Sequence, residues 1–539
     1  LDANTTASNN VGIGLNAAGG TTTGASNIAI GTNSLLQNTT GALNVAVGSY
    51  ALNANTTAAN NTAVGHSALT ANTTGSENVA IGAQAGDAIT TGANNISIGY
   101  MALGAETTGG RSVAIGRNAL LVQNFTGDEL PYNVGVGYGA GAAVTTGTIN
   151  TLIGGLAGDA LTTGNSNVAV GYLSLSADTT GDRSTAIGHQ ALAAQNFTSN
   201  TDTYNVAVGY NAGVANTTGS QNTFIGGLSG TATTTANNIT SVGYKSLSAN
   251  TTGTQNVAVG SLTLDANTTA NNNTAVGHAA LTDNTTGSEN VAVGTSSLFT
   301  NTTGTNNVGL GYNALNANTT ASYNVAIGRQ SLAENTDGTN NTAVGAYALA
   351  VATTPDGNTA IGRATLQATT TGSGNTAVGN NALNDNTTAS NNTAVGSNAL
   401  DINTTGASNV AVGTYALDAN TTASNNTAVG YSSLGANTTG TNNVAVGSLA
   451  LDANTTANQN TAVGYASLGA NNTGGTNTAV GYTSLTANTD GASNTAVGWA
   501  ALVANIGGDY NTALGRSALA GNTTGANNVA VGSFALDAN

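Results

Sequence analysis

A glycine preceded by an aliphatic residue recurs along the whole of this chain, from Gly14 to Gly532. There are 31 such glycines, and 28 of the 30 steps between them are 17 residues long. The two other steps are 21 residues long and run from Gly116 to Gly137 and from Gly188 to Gly209. A period this short and strict is typical of solenoids, in which each repeat packs only on its neighbours. The sequence therefore predicts a single continuous array of 31 turns over residues 1–539 and disfavours an enzyme pocket.

Composition excludes several other classes of protein. Only 6% of the residues are charged, and 23 acidic against 7 basic residues give a net charge of -16 that is spread thinly. Nucleic-acid binding needs clustered Lys and Arg, so we expect no nucleic-acid partner. The absence of cysteine excludes disulfides, Cys-based zinc sites and thiol chemistry. No apolar run approaches the roughly 18–20 residues of a membrane span, and the N-terminus does not have the layout of a signal peptide. We expect no cofactor and no membrane insertion of this segment, which begins and ends inside a repeat and so reads as a fragment of a longer protein.

The residues around each glycine form columns. The positions three and one before the glycine hold Val, Ile, Thr or Leu in all 31 turns, which predicts a short strand. Leucine stands four after the glycine in 25 turns (the leucine column), and asparagine stands four before it in 28 (the asparagine column). We expect stacked asparagines to form a ladder. The residues that represent this framework are Gly413, Gly430, Gly447, Asn409, Asn426, Leu417 and Leu434.

The length of the turn sets the architecture. Seventeen extended residues span at most roughly 56 Å, which leaves room for two or three short strands. Parallel, in-register stacking at about 4.8 Å per turn would give a rod of roughly 150 Å. The sequence therefore predicts an all-β fold, a narrow parallel β-solenoid of 17-residue turns.

Two anomalies indicate which side chains face inward. The position two before the glycine (the alanine column) is large only at Leu152 and Phe224, and in both cases the leucine column of the adjacent turns is glycine. Because packed cores conserve volume, the alanine and leucine columns must touch inside the turn. Strand side chains alternate, so the β-branched columns point outward. In the inverted arrangement, the alanine stripe would face outward instead.

Outward rows of Val, Ile and Thr along the array would expose more apolar surface than soluble monomers do. The simplest way to cover these apolar rows is with other copies of the same chain, and a closed ring of three copies suits a fibre best. We therefore expect a homo-oligomer, with a homotrimeric fibre as the favoured form.

A longer repeat is superimposed on the 17-residue repeat in one part of the chain. Residues 82–153 and 154–225 correspond throughout, and each block contains one 21-residue turn. The extra residues fall within 127–132 and 199–204, and we expect them to bulge as surface loops.

The column directly after each glycine is aromatic and basic. It holds all three histidines, nine of the sixteen tyrosines and the single tryptophan. Its candidate surface-binding residues are Tyr431, Tyr465, Tyr482, Trp499 and Arg516. One interpretation is a stripe that binds glycans on a host or cell surface; the other is a tolerant rim of the subunit interface. The histidines are too far apart in sequence for a metal site or a catalytic triad.

The segments Asn-Val-Ala-Ile-Gly (Asn78 to Gly82 and Asn324 to Gly328) and Ser-Val-Ala-Ile-Gly (Ser112 to Gly116) resemble head repeats of YadA-type trimeric autotransporter adhesins. The longer unit at 460–474 is similar to repeats of tail-fibre-like bacterial and phage surface proteins. The resemblance implies a left-handed, trimeric, extracellular β-roll that serves as a stalk or adhesin on a cell surface or virion. The turns here are longer than usual adhesin head repeats.

The sequence leaves other roles open. Threonine-rich solenoids can bind ice, but the threonines here are adjacent, as at Thr421 and Thr422, and cannot share one flat strand face. Single aspartates lack the spacing of calcium-binding β-rolls. Most turns carry Asn-Thr-Thr, formally a glycosylation sequon, which turn chemistry explains without sugar.

Overall fold

The computed structural model describes residues 1–127 and 129–538. The chain divides into two compact units, Leu1–Asn272 and Asn273–Asn539. Each unit is an all-β parallel solenoid, and together they contain the 31 turns that the glycine period predicts. No helix occurs among the described residues. The predicted fold class is thus confirmed, whereas the single continuous array over 1–539 stays a prediction.

Each turn contributes one strand of three residues. In the first unit these strands are Val11–Ile13, Ile28–Ile30, Val45–Val47, Thr62–Val64, Val79–Ile81, Ile96–Ile98, Val113–Ile115, Val134–Val136, Thr151–Ile153, Val168–Val170, Thr185–Ile187, Val206–Val208, Thr223–Ile225, Thr240–Val242 and Val257–Val259. In the second unit they are Thr274–Val276, Val291–Val293, Val308–Leu310, Val325–Ile327, Thr342–Val344, Thr359–Ile361, Thr376–Val378, Thr393–Val395, Val410–Val412, Thr427–Val429, Val444–Val446, Thr461–Val463, Thr478–Val480, Thr495–Val497, Thr512–Leu514 and Val529–Val531. The first unit also has a pair of two-residue strands, Gly181–Asp182 and Thr201–Asp202.

Within each unit the strands pair in parallel and in register. Val45 pairs with Thr62 in the first unit, and Val410 pairs with Thr427 in the second. Paired residues are 17 positions apart in most turns, so each residue pairs with the residue of the same column in the next turn. Each column therefore forms a row of similar residues along the stack. The middle residue of nearly every strand is buried, while its two neighbours are half-buried or exposed. The alanine column therefore faces the interior and the β-branched columns face outward.

The stretch after the glycine is not a strand, although the sequence leaves room for a second or third. Tyr415 and Leu417 both have positive φ, 58° and 52°, with residues of negative φ between and beyond them. This alternation points successive N–H groups up and down the stack: Tyr415 N donates to Ser397 O of the turn before (3.1 Å), and Leu417 N donates to Ser433 O of the turn after (3.0 Å). Turn-to-turn hydrogen bonding thus continues without β geometry.

The periodic glycine is required by both backbone and space. Gly430 has a φ of +139°, a region that side chains rarely adopt. A Cβ placed on it would lie 2.6 Å from the carbonyl carbon and oxygen of Gly447 in the next turn. Gly413 stands in the same conformation, with φ +137°. The glycines therefore stack directly on one another, and this close approach fixes the period.

The core consists of the alanine and leucine columns. Leu417 and Leu434 are completely buried. Leu152 is also completely buried, and a Cβ on Gly141 or on Gly158 would lie within 2.7 Å of one of its methyl carbons. The large residue in one column thus fills the space that leucines in the adjacent turns would occupy.

The asparagine column forms a buried ladder. Asn409 Oδ1 accepts from the backbone N of Asn426 at 2.9 Å, and Asn409 Nδ2 donates to Ala423 O at 2.8 Å. A second ladder stands seven after the glycine, where Asn420 Nδ2 donates to Asn403 Oδ1 at 2.8 Å and to the same Ala423 O at 3.1 Å. Each turn is therefore tied across its own width as well as to its neighbours.

Candidate functional surface

The column directly after each glycine lies outside the solenoid. The strand ends at the residue before the glycine. The side chain of the residue after the glycine therefore projects from the edge of the outward sheet face. Tyr431, Tyr465, Tyr482 and Trp499 are 53%, 46%, 51% and 49% exposed, and Arg516 is also exposed. The structure therefore places all five candidate surface residues in solvent.

Three of these residues stack on one another. The ring centroids of Tyr465 and Tyr482 are 5.3 Å apart with an interplanar angle of 16°, and those of Tyr482 and Trp499 are 6.3 Å apart at 5°. The Arg516 guanidinium lies 5.1 Å from the Trp499 ring and 5.4 Å from the Phe534 ring. Because the rings face each other along the stack, they present mainly edges and phenol hydroxyls to solvent.

Tyr431 is separate from this stack. Its ring contacts Tyr415 edge to face at 6.3 Å. The five candidate residues thus form two groups, one stacked and one T-shaped. Sugars pack on ring faces, and the inner faces of the stack are already used by its own members. A glycan-binding role for the stripe stays a prediction, and the stacking favours the structural interpretation of this column.

The two insertions fold back on an arginine of the preceding turn. Arg111 Nη1 donates to the Tyr132 hydroxyl at 2.6 Å, and its guanidinium lies 5.6 Å from the ring centroid. Arg183 repeats this with Tyr204 at 3.1 Å and also forms an ion pair with Asp202. The charge of Asp202 is the largest cause of the raised pKa of Arg183. Most of the described inserted residues are exposed, and Asp128 of the first insertion lies outside the described residues, as does Asn539.

A buried carboxylate supports each insertion, and sequence reasoning missed both. Glu106 is completely buried in the second asparagine ladder, and its Oε1 accepts the backbone N–H groups of Gly109 (2.7 Å) and Phe125 (3.2 Å). Gln123 Nε2 donates to Glu106 Oε2 at 2.9 Å and to Ser112 Oγ at 2.9 Å. The longer glutamine therefore fills the space that an asparagine leaves at position 112. The available signal was this coincidence of Ser four before and Gln seven after one glycine.

The second block repeats the network with a shorter acid. Asp178 is completely buried, and Gln195 Nε2 donates to Asp178 Oδ2 and Ser184 Oγ, both at 2.7 Å. Loss of hydration raises the pKa of Asp178, and the hydrogen bond from Gln195 works against that rise. The two insertions thus have the same supporting chemistry.

Half-buried aspartates occupy the position five after the glycine. Asp401, Asp418 and Asp452 each have a raised pKa, chiefly because burial disfavours the charged form, and the charges of Asp401 and Asp452 add to the rise at Asp418. In the part of the chain that the structure describes, no group of three His, Asp or Glu side chains could hold a metal ion.

The Asn-Thr-Thr segments are engaged in structure. Asn55 is completely buried, and its Nδ2, the atom that a glycan would modify, donates to Asn38 Oδ1 (2.9 Å) and Ala58 O (3.1 Å). Thr56 Oγ1 donates to Thr73 O of the next turn at 3.1 Å. Turn chemistry therefore accounts for the sequon in the folded chain.

Comparison with known proteins identifies no relative of this chain. Among residues 1–127 and 129–538 there is no helix long and apolar enough to cross a membrane. No protein-family model, no curated protein and no solved structure matches this chain.

Proposed function

We propose that this protein is a structural fibre of the extracellular surface, a shaft that holds a tip or an anchor at a distance. The observation that carries the proposal is the outward face of the strands. Val444 and Val446 lie in the two outward columns and are 36% and 37% exposed. The row of Val446 is Val, Ile or Leu at every turn of its unit, whereas Val444 lies between Thr427 and Thr461 in a row of mixed Val and Thr. A continuous apolar row marks a surface that another chain covers.

The proposed assembly is a homotrimer. Three parallel copies in a closed ring would bury the outward rows against one another and leave the turn corners in solvent. The low charge of the chain, 6%, suits such packing because few charges would have to be desolvated. The resemblance to YadA-type adhesin heads and tail-fibre repeats supports the same assembly and a location on a cell surface or virion. Binding of glycans along the shaft belongs to this proposal as a secondary property.

The proposal excludes catalysis as the main role. Repetitive β-solenoids are typically structural, and the outward surface here is a ladder of repeated side chains. Ice binding is the alternative function. The turn threonines are unsuited to it, because Thr404 Oγ1 donates to Thr421 O at 3.0 Å and is therefore already bonded. Ice binding would instead use the outward strand threonines, such as Thr376 and Thr393, which lie in register.

Electron microscopy and freezing assays test these roles together. Negatively stained particles of the purified chain should be straight rods of roughly 150 Å, the length that about 4.8 Å per turn gives. Thermal hysteresis of the same sample should be absent. Compact particles would overturn the shaft, and strong thermal hysteresis would replace it with ice binding.

A further inference from the structure

The column after each glycine follows a four-turn pattern inside the 72-residue blocks. Through the two blocks and the two turns that follow them, its members are Ala83, Tyr100, Arg117, Tyr138, Gly155, Tyr172, His189, Tyr210, Gly227 and Tyr244. A tyrosine thus alternates with either a cation-forming residue or a residue with little or no side chain. All ten belong to the first unit.

Where the intervening residue is present, its planar group packs on tyrosine rings. His189 lies between Tyr172 and Tyr210, with ring centroids 5.6 and 5.4 Å away. Arg117 lies over Tyr100 at 5.7 Å. In the second unit, Arg516 lies between Trp499 and Phe534. Two aromatic rings two turns apart therefore accommodate an imidazole or a guanidinium between them.

Two places in the pattern have the same walls and no intervening side chain. Tyr138 and Tyr172 are two turns apart with Gly155 between them, and Tyr210 and Tyr244 are two turns apart with Gly227 between them. The four tyrosines are 56%, 51%, 56% and 52% exposed, in that chain order. Within the described residues, no ring or cation stacks on Tyr138, whereas the Lys245 ammonium lies 5.6 Å from the Tyr244 ring centroid.

Neither the backbone nor the packing explains these two glycines. Gly155 and Gly227 do not have the positive φ of the periodic glycines. A Cβ on Gly155 would meet only the Tyr172 ring, at 3.4 Å, and one on Gly227 would meet only the Tyr244 ring, at 3.9 Å. These are ordinary contacts, so alanine would fit at both. The missing side chain is thus a feature of the surface rather than a requirement of the fold.

We propose that the slots Tyr138–Gly155–Tyr172 and Tyr210–Gly227–Tyr244 bind planar cationic groups, namely the guanidinium groups of arginines on a basic peptide or protein segment. The chain itself places Arg117 and His189 at the equivalent positions, which identifies the chemistry that the spacing accepts. Guanidinium groups stack on aromatic faces more readily than ammonium groups do. The net charge of -16 attracts a basic partner. The slots are four turns, about 19 Å, apart, which matches arginines six positions apart in an extended segment at about 3.3 Å per residue.

Binding of a synthetic peptide with two arginines six positions apart, measured by calorimetry at low salt, tests this site. The citrulline version should bind at least about fivefold more weakly, and the lysine version should also bind more weakly. A peptide with a single arginine should lose about tenfold or more, because the second contact is intramolecular once the first has formed.

Variants in which the slots are filled distinguish binding at this site from general electrostatic attraction of a basic peptide to an acidic protein. Gly155→His with Gly227→His, which copies the resident His189, should abolish the advantage of arginine over citrulline. Ser397→His is the matched control, because it lies in the same column between Asn380 and Thr414 and should leave binding unchanged. Equal binding of the arginine and citrulline peptides, or an unchanged preference in the filled variant, would overturn the proposal. Preferential binding of a neutral oligosaccharide at the slots would overturn the choice of ligand.

Discussion

The ring of Phe224 occupies the space in which Gly213 lacks a side chain: a Cβ on Gly213 would lie 2.6 Å from Cδ2 of Phe224. Gly230, in the turn after Phe224, makes an even closer approach to the same ring. Phe224 is completely buried, so the aromatic ring takes the place of two leucine side chains from the turns on either side of it. The residue type in the alanine column therefore depends on the residue types in the leucine column of the adjacent turns.

This exchange predicts strong coupling between the three positions. Phe224→Ala alone should lower the free energy of unfolding by about 3–5 kcal/mol because it leaves a cavity. Gly213→Leu with Gly230→Leu should also destabilise the protein, by overpacking. The triple variant restores the arrangement of ordinary turns and should recover most of the loss. Additive losses in denaturant unfolding would show that the columns do not touch.

Substitution of one asparagine in the buried ladder should destabilise the folded protein. Asn426 accepts a hydrogen bond from Asn443 N at 2.9 Å and donates to Gly440 O at 2.8 Å, and both partners are turned away from solvent. Asn426→Ala should lower the free energy of unfolding by about 1–3 kcal/mol, since it leaves the buried Asn443 N–H unpaired, whereas Gly440 O keeps its hydrogen bond from Asn437 Nδ2 at 3.0 Å. The exposed neighbour Asn425, at a φ of +62°, provides the control as Asn425→Gly. Equal effects of the two substitutions on the melting temperature would contradict the ladder.

The leucine column should reverse the usual ranking of alanine and glycine. Leu417 has a φ of +52°, where a Cβ costs roughly 1–2 kcal/mol. Both Leu417→Ala and Leu417→Gly should lose about 2–5 kcal/mol of stability by emptying the core. We expect the glycine variant to be at least as stable as the alanine variant, by comparison of their denaturation midpoints. A clearly less stable glycine variant would place this residue in the ordinary helical or extended region.

The half-buried aspartates predict greater stability in mild acid. The pKa of Asp418 is raised in the folded chain above its ordinary value of 3.8, so the folded state binds a proton more readily than the unfolded chain does. Stability should therefore increase as the pH falls from neutrality through the raised pKa towards 3.8, and the gain should be complete below that value.

Asp418→Asn should raise the melting temperature at pH 7 and weaken this pH dependence, since Asn53 and Asn316 occupy the same column in other turns. The exposed Asp337→Asn is the control. A melting temperature that falls on mild acidification, unchanged by Asp418→Asn, would show that the burial of Asp418 does not control its titration.

The sequence predicts the repeat well because its evidence is multiplied over 31 turns. The parallel register follows from the period, and the inward alanine column follows from Leu152 and Phe224, where one exchange reports a contact. The conformation of Leu417 could not be predicted in this way, since leucine rarely adopts positive φ and only stacking against both neighbouring turns stabilises it.

The surface was harder to predict. The aromatic column is visible in the sequence, yet whether Tyr482 presents a face or an edge depends on its stacking with Tyr465 and Trp499. The buried Glu106 and Asp178 were missed because a carboxylate in a solenoid is expected to face solvent. They are explained by the backbone N–H groups of Gly109, Phe125 and Phe197 and by the glutamine side chains that donate to the two carboxylates.

In the proposed assembly, the outward rows of Val, Ile and Thr are covered by other copies of the chain. Sedimentation equilibrium of the purified protein measures this most directly. We expect a mass three times the 52.0 kDa of one chain at micromolar concentration, and partial dissociation when Val444 and Val446 are both replaced by lysine. A monomer of 52.0 kDa that stays soluble with these rows exposed would contradict the proposed assembly.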